Sequence, residues 1–180
     1  MLQVEVPAVE FYDEAREEFV SSDAVVLRLE HSLVSVSKWE SKWKKPFLVK
    51  DPKTDEEARD YVRCMTLNQH VDPNVYYALD AKQMQEINDY INAELTATWF
   101  SDANSKPPSR EVVTSELLYY YMVGYQIPWE AQKWHLSRLL VLIRIATIKN
   151  QPEKKMSKNA VMSRNRALNA ARRKKHHTKG

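Results

Sequence analysis

The stretch TSELLYYYMVGYQIPWEAQKWHLSRLLVLIRIATIK (114–149) decides the fold class. Thr114, or Ser109 before it, offers a side-chain oxygen to start a helix. Val113, Leu117, Tyr120, Tyr121 and Gly124 then fall at three- and four-residue steps on one face. Pro128 has no amide hydrogen and ends that helix. The same proline suits the first turn of a second helix, with Glu130 beside its positive end. This second helix is expected to run on from Pro128 through Lys149. Residues 139–148 are apolar on nearly every side, the mark of a buried helix. The Ile127-Pro128 corner makes the two an αα-hairpin, expected at the centre of the core.

Upstream, SDANSKPPS (101–109) is rich in turn residues and reads as a loop. Asp80 can cap a helix that places Met84, Ile87, Ile91 and Leu95 on one face. Asp72-Pro73 opens a short helical turn expected to reach Leu79. Thr54 and Glu57 form a capping box, in which each side chain satisfies an orphan amide, ahead of Ala58, Tyr61, Val62 and Met65. EHSLVSVSKWESKWKK (30–45) fits two templates. As a helix it aligns Leu33, Val36 and Trp43 with Val26 and Leu29; as a strand, Val34, Val36 and Trp39 nearly alternate with serines. The helix, stopped by Pro46, is preferred. LQVEV (2–6) alternates and ends at Pro7, so it reads as a strand, with AVVLRL (24–29) to pair with it. EFYDEAREEF (10–19) between them suits a strand or a helical turn. Downstream, QPEKKM (151–156) is a linker, and Ser157 can cap a final basic helix. That helix is expected to be separate from the core, frayed, or ordered by a partner. The expectation is therefore a mainly α chain: a helical domain over 1–150 with a small N-terminal β element, and a basic helical or disordered tail over 151–180.

Composition narrows function. Of the two glycines, Gly124 is internal and Gly180 is last. Phosphate loops of the Rossmann or Walker type need several glycines for positive φ and close backbone approach, so such nucleotide sites are not expected. Cys64 is the one cysteine, which excludes an intramolecular disulfide or a multi-thiolate zinc site. MLQVEVPAVEFYDEAREEF lacks the basic start and apolar run of a signal peptide. The apolar stretch 139–148 is shorter than the ~20 residues of a spanning helix and is interrupted by Arg144, so no membrane role is expected. Charge is uneven. Residues 151–180 hold ten Lys and Arg against Glu153 alone, which leaves 17 of the 27 basic and 23 of the 24 acidic residues to the first 150. An acidic body thus carries a basic tail.

No catalytic or metal motif is present. The histidines (His31, His70, His135, His176, His177) show no HExxH and no metal-ligand spacing. His135, in Lys133-Trp134-His135-Leu136 with Glu130, Gln132 and Arg138 nearby, could be a general base. A half-buried histidine with locally bonded ring nitrogens is the preferred reading. Cys64 lies late in its helix, where the dipole disfavours a thiolate, and reads as structural. No catalytic residue, cofactor or metal is expected.

Two features point to binding instead. The run Tyr119-Tyr120-Tyr121 cannot all face inward from one helix, so Tyr119, Tyr120, Trp129 and Trp134 are candidate contacts for a partner or another subunit. In the tail, Arg164, Arg166, Arg172, Arg173, Lys174 and Lys175 could neutralise phosphates in salt-sensitive, sequence-independent binding, though no aromatic residue supports base stacking.

LEHSLVSVSKWESKWKKPFL (29–48), residues 111–145 and the ending RNRALNAARRKK together resemble the tail assembly chaperones of tailed bacteriophages. The resemblance implies a non-enzymatic factor in the host cytoplasm. Such proteins bind the long helical tape measure protein, keep it soluble and help tail tube subunits polymerise around it. It implies no catalytic residue, and often a longer frameshifted product. A helical, aromatic, Met-containing surface suits apolar helix faces. The basic ending departs from this pattern and supports the alternative, a nucleic-acid-binding accessory or virion protein using residues 164–175. Self-assembly as a structural head or tail component is a third reading.

Overall fold

The computed structural model describes residues 1–13, 17–100, 111–150 and 158–176. Two two-stranded antiparallel ladders begin the chain. Strands β1 (Leu2–Val6) and β4 (Val25–Leu29) pair with Leu2 opposite Leu29 and Val6 opposite Val25. Alternation turns Val4, Val6, Leu27 and Leu29 into the core. Strands β2 (Val9–Asp13) and β3 (Glu18–Ser22), inserted between them in sequence, form a hairpin whose Tyr12 and Phe19 rings meet edge-on at 5.2 Å.

The expected pairing of residues 2–6 with 24–29 is present, and of the segment 10–19 the described residues 10–13, 18 and 19 are strand rather than helical turn. Val26 does not continue the apolar stripe of the next helix, because on a strand it points outward, 45% exposed. Asn68 supplies a substitute rung on the edge of β4, accepting from Arg28 N and donating to Val26 O at 2.7 and 3.0 Å.

Helix α1 (Leu33–Trp43) is the hub, touching helix α2 (Asp55–Met65), helix α4 (Ser115–Gly124) and the 3-10 turn Trp129–Lys133. Ser32 caps it and Ser35 closes a serine capping box, while Lys44 ends it in the left-handed region, φ 55°, two residues before Pro46. Its buried face is Leu33, Val36, Trp39 and Glu40, with Trp43 half-buried. Helix α2 opens on the expected Thr54–Glu57 box. Asp72 caps a 3-10 turn, Pro73–Tyr76, which stops short of Leu79. Asp80 caps helix α3 (Ala81–Ile91), which ends before Leu95, leaving that residue 44% exposed instead of on the buried face. Left-handed backbone also occurs at Glu17, His70 and Gln126, all carrying side chains. The expected loop 101–109 and linker 151–156 lie outside the described residues.

The largest correction concerns residues 114–149. Thr114 does cap α4, but the inward residues are Leu118 and Met122; Tyr120 is exposed, Val113 is 37% exposed, and Leu117 and Tyr121 are only half-buried. Pro128 opens the single 3-10 turn Trp129–Lys133, and the second helix, α5 (Leu136–Lys149), starts eight residues later than expected. The cause is long-range. His135 forms an antiparallel bridge with Ser32, and Leu136 N donates to His31 O at 2.8 Å. These bonds hold Trp134 extended, with ψ 161°. No αα-hairpin therefore centres the core. Nor is α5 the most buried helix: Leu136, Leu139 and Ile143 face inward, whereas Ile148 is 52% exposed.

Residues Met1–Ala146 form one compact unit and Thr147–Gly180 a second. In the second, helix α6 (Lys158–His176) has no acidic residue, and its described side chains are exposed. Among the described residues the chain is mainly α with a small N-terminal β element.

Candidate functional site

Helix α4 and the turn after it carry an aromatic surface. Three consecutive tyrosines must spread over most of the helix circumference. Tyr119 points toward the 3-10 turn, where its hydroxyl donates to Gln132 Oε1 at 3.1 Å and its ring lies 5.8 Å from that of Trp129. Tyr120 points outward, 69% exposed, 5.9 Å from Tyr121, which stacks on Tyr125 one turn later at 6.2 Å. Val123, 62% exposed, lies three residues after Tyr120 on the same helix, and Trp129, 54% exposed, meets Tyr119. Of the four residues singled out from sequence, Tyr119, Tyr120 and Trp129 share this region. Trp134 makes its contact elsewhere, under the guanidinium of Arg138 at 5.2 Å. Val123 and Tyr125 were missed, and Tyr121 was placed on the inner face; the signals that could have found them are Val123 three residues after Tyr120 and Tyr125 four after Tyr121.

A second cluster forms where β4 hands over to α1. His31 and His135 are both buried, with ring centroids 5.1 Å apart. His135 is fully bonded in place, Nδ1 to Ser137 Oγ at 2.8 Å and Nε2 to Tyr90 O at 3.0 Å, so it is no free base. His31 Nδ1 meets Tyr61 Oη at 2.5 Å. Burial, then the neighbouring His135, holds His31 down to about 3. Burial also lowers His135; the Tyr90 carbonyl and Glu30 oppose that shift, and the Met1 amino group and Arg138 reinforce it.

These histidines predict acid sensitivity. The unfolded chain protonates His31 near its ordinary 6.5, the folded chain only near 3. The stabilisation is therefore complete above the unfolded value and is lost as pH falls from there toward the folded one. Going from about pH 7 to about pH 5 is expected to cost about 2 kcal/mol from His31 alone. Urea unfolding at the two pH values checks this, and unchanged stability would contradict it. Glu57, lowered chiefly by its bond to Lys45, loses its contribution only as pH drops below the ordinary carboxylate range.

Beside this pair, His31, α2, α3 with the residues after it, α5 and the segment after α1 line an open pocket of about 470 Å³. Its lining is mixed: Phe47, Val62, Ile87, Ile91, Leu136 and Leu140 are apolar, and His31, Lys53, Tyr61, Asn88, Asn92, Glu94 and Ser137 are polar or charged. Five separated segments build it, so no local pattern announced it.

Cys64 is half-buried and burial pushes its thiol up to about 11, against nucleophilic use. Arg164, Arg166, Arg172, Arg173, Lys174 and Lys175 all project from α6 into solvent. Among the described residues, no group of three His, Cys, Asp or Glu side chains could hold a metal ion. No described helix is long and apolar enough to cross a membrane. Comparison with protein-family models, curated proteins and solved structures returns no match.

Proposed function

We propose that this chain is a tail assembly chaperone of a tailed bacteriophage, covering apolar helical segments of the tape measure protein until tail tube subunits enclose them. The observation that carries the reading is the exposed surface of Tyr120, Val123 and Trp129, flanked by Tyr119, Tyr121 and Tyr125. Large apolar side chains left in water together, with phenolic hydroxyls at their edge, are the composition of interface centres. A helix with an apolar stripe could lie along α4 and bury them. On this reading the chain has no catalytic residue, needs no cofactor and acts in the host cytoplasm.

Co-expression of the full chain with the phage's tape measure protein, followed by pull-down, tests the proposal. A soluble complex that survives nuclease and moderate salt is expected. Tyr120→Ser and Trp129→Ser should each weaken it about 10- to 30-fold, the effect of an interface anchor worth about 2 kcal/mol. Both side chains are more than half exposed, so the variants should fold. Undiminished binding by both would sink this assignment of the surface.

The exposed basic side chains of α6 favour a second reading, nucleic-acid binding. It predicts binding to DNA or RNA that falls steeply with salt and vanishes on removal of residues 157–180.

A further inference from the structure

Helix α6 (Lys158–His176) arranges its side chains in a way that solubility alone does not require. At about 100° per residue, Met162, Asn165 and Asn169 fall within an arc of about 60°. Cations border this stripe on both sides. Arg172 and Lys175 lie on one flank, Arg173 and Arg166 on the other, each within about 110° of the stripe's centre. All seven side chains are exposed, and the helix holds no acidic residue.

Two asparagines inside an exposed helix are costly. Asn ranks low in helix propensity because its amide competes for nearby backbone groups. Burial does not offset that cost here, since both side chains face water. Two amides and a thioether thus stand in line between two rows of cations, a polar reading face between anion-binding flanks.

Shape and charge select the partner. A flat acidic surface meets cations on one side of a helix only. The major groove of duplex DNA is about 12 Å wide, admits a helix, and offers a phosphate strand on each wall with base edges on its floor. On that floor an asparagine amide meets the N7 acceptor and N6 donor of adenine together, and the thymine methyl group accepts apolar contact of the kind Met162 offers. The 19 residues of α6 span about 28 Å, most of one ~34 Å turn of the duplex. Duplex RNA has a major groove too deep and narrow for side chains to read, and a single strand has no second wall.

We infer that α6 binds duplex DNA in its major groove, with Asn165 and Asn169 on adenine edges and the flanking cations on the phosphates of both strands. The inference rests on the nucleic-acid reading of α6 and uses none of the α4 surface.

Fluorescence anisotropy of the full-length protein tests it, with labelled A·T-rich duplex DNA, duplex RNA and single-stranded DNA of about 20 nucleotides per strand. Duplex DNA is expected to bind at least about 10-fold tighter than the other two. Replacing adenine by 7-deazaadenine deletes the N7 acceptor and leaves the minor groove unchanged, so it should weaken binding about 5-fold or more. Asn165→Ala with Asn169→Ala should weaken binding to the unmodified duplex by a similar factor, remove the sensitivity to 7-deazaadenine and leave the salt dependence unchanged. Alanine is the better helix former, so α6 is retained. Arg166→Gln with Arg173→Gln should instead reduce the slope of log K against log salt by about 2 and keep the sensitivity to 7-deazaadenine. Equal binding of the three probes, indifference to 7-deazaadenine, or an asparagine double variant that still senses it would overturn the groove placement while nucleic-acid binding stands. Binding to none of the three would remove both.

Discussion

Glu40→Ala is expected to destabilise the protein by about 3–5 kcal/mol, because it strands two buried amides at once. Glu40 is 7% exposed on the inner face of α1. One carboxylate oxygen accepts from Phe47 N at 2.8 Å, and the other accepts from Ser115 N at 2.7 Å across 75 residues of chain. Ser115 is the first residue of α4 and fully buried. The carboxylate therefore also meets the positive end of a helix. Glu40→Gln keeps one carbonyl acceptor and should lose roughly half as much. Urea unfolding followed by tryptophan fluorescence gives both numbers. A loss under about 1 kcal/mol for Glu40→Ala would mean that water reaches those amides.

Trp39→Ala should cost about 3–5 kcal/mol, as removal of a fully buried indole does elsewhere. Trp39 is 1% exposed, its Nε1 donates to Glu57 O at 2.9 Å, and Phe47 packs edge-on at 5.2 Å. Trp43, one turn on, bonds Asp60 Oδ2 at 2.8 Å but is only half-buried. Trp43→Ala is therefore expected to cost clearly less, about 1–2 kcal/mol. The ordering discriminates between the stripe read from sequence, which ran through Trp43, and the observed one, which runs through Trp39. The same urea series would show it, and equal losses would contradict the packing described for α1.

Legibility followed the range of the interactions. Thr54 with Glu57, Asp72 with Pro73, Asp80, Thr114 and the stop at Pro46 bond or clash within a few residues, and each starts or stops an element as read, although the turn after Asp72 ends before Leu79 and the helix after Asp80 before Leu95. The break before Leu136 was not legible, because Ser32 and His31 impose it from about a hundred residues away. Residues 139–148 read as buried because their composition is apolar all round, yet the number of neighbours that reach a helix is a property of the whole fold. The aromatic surface was half legible. Helical geometry required one of three tyrosines to face out, whereas Trp134 was grouped with Tyr120 by residue type alone. His31 belonged to no motif, and its lowered proton affinity comes from burial beside Tyr61 and His135, which lie far along the chain.

The left-handed residues Glu17, Lys44, His70 and Gln126 bear on the state the protein leaves when it folds. Glycine is the usual occupant of such positions, and each side chain there adds strain of order 1 kcal/mol to the native form. Yet a chain with two glycines in 180 residues wanders through fewer conformations when denatured, so ordering it forfeits less entropy. Part of this protein's stability thus resides in the poverty of its unfolded ensemble, where no inventory of native contacts would find it.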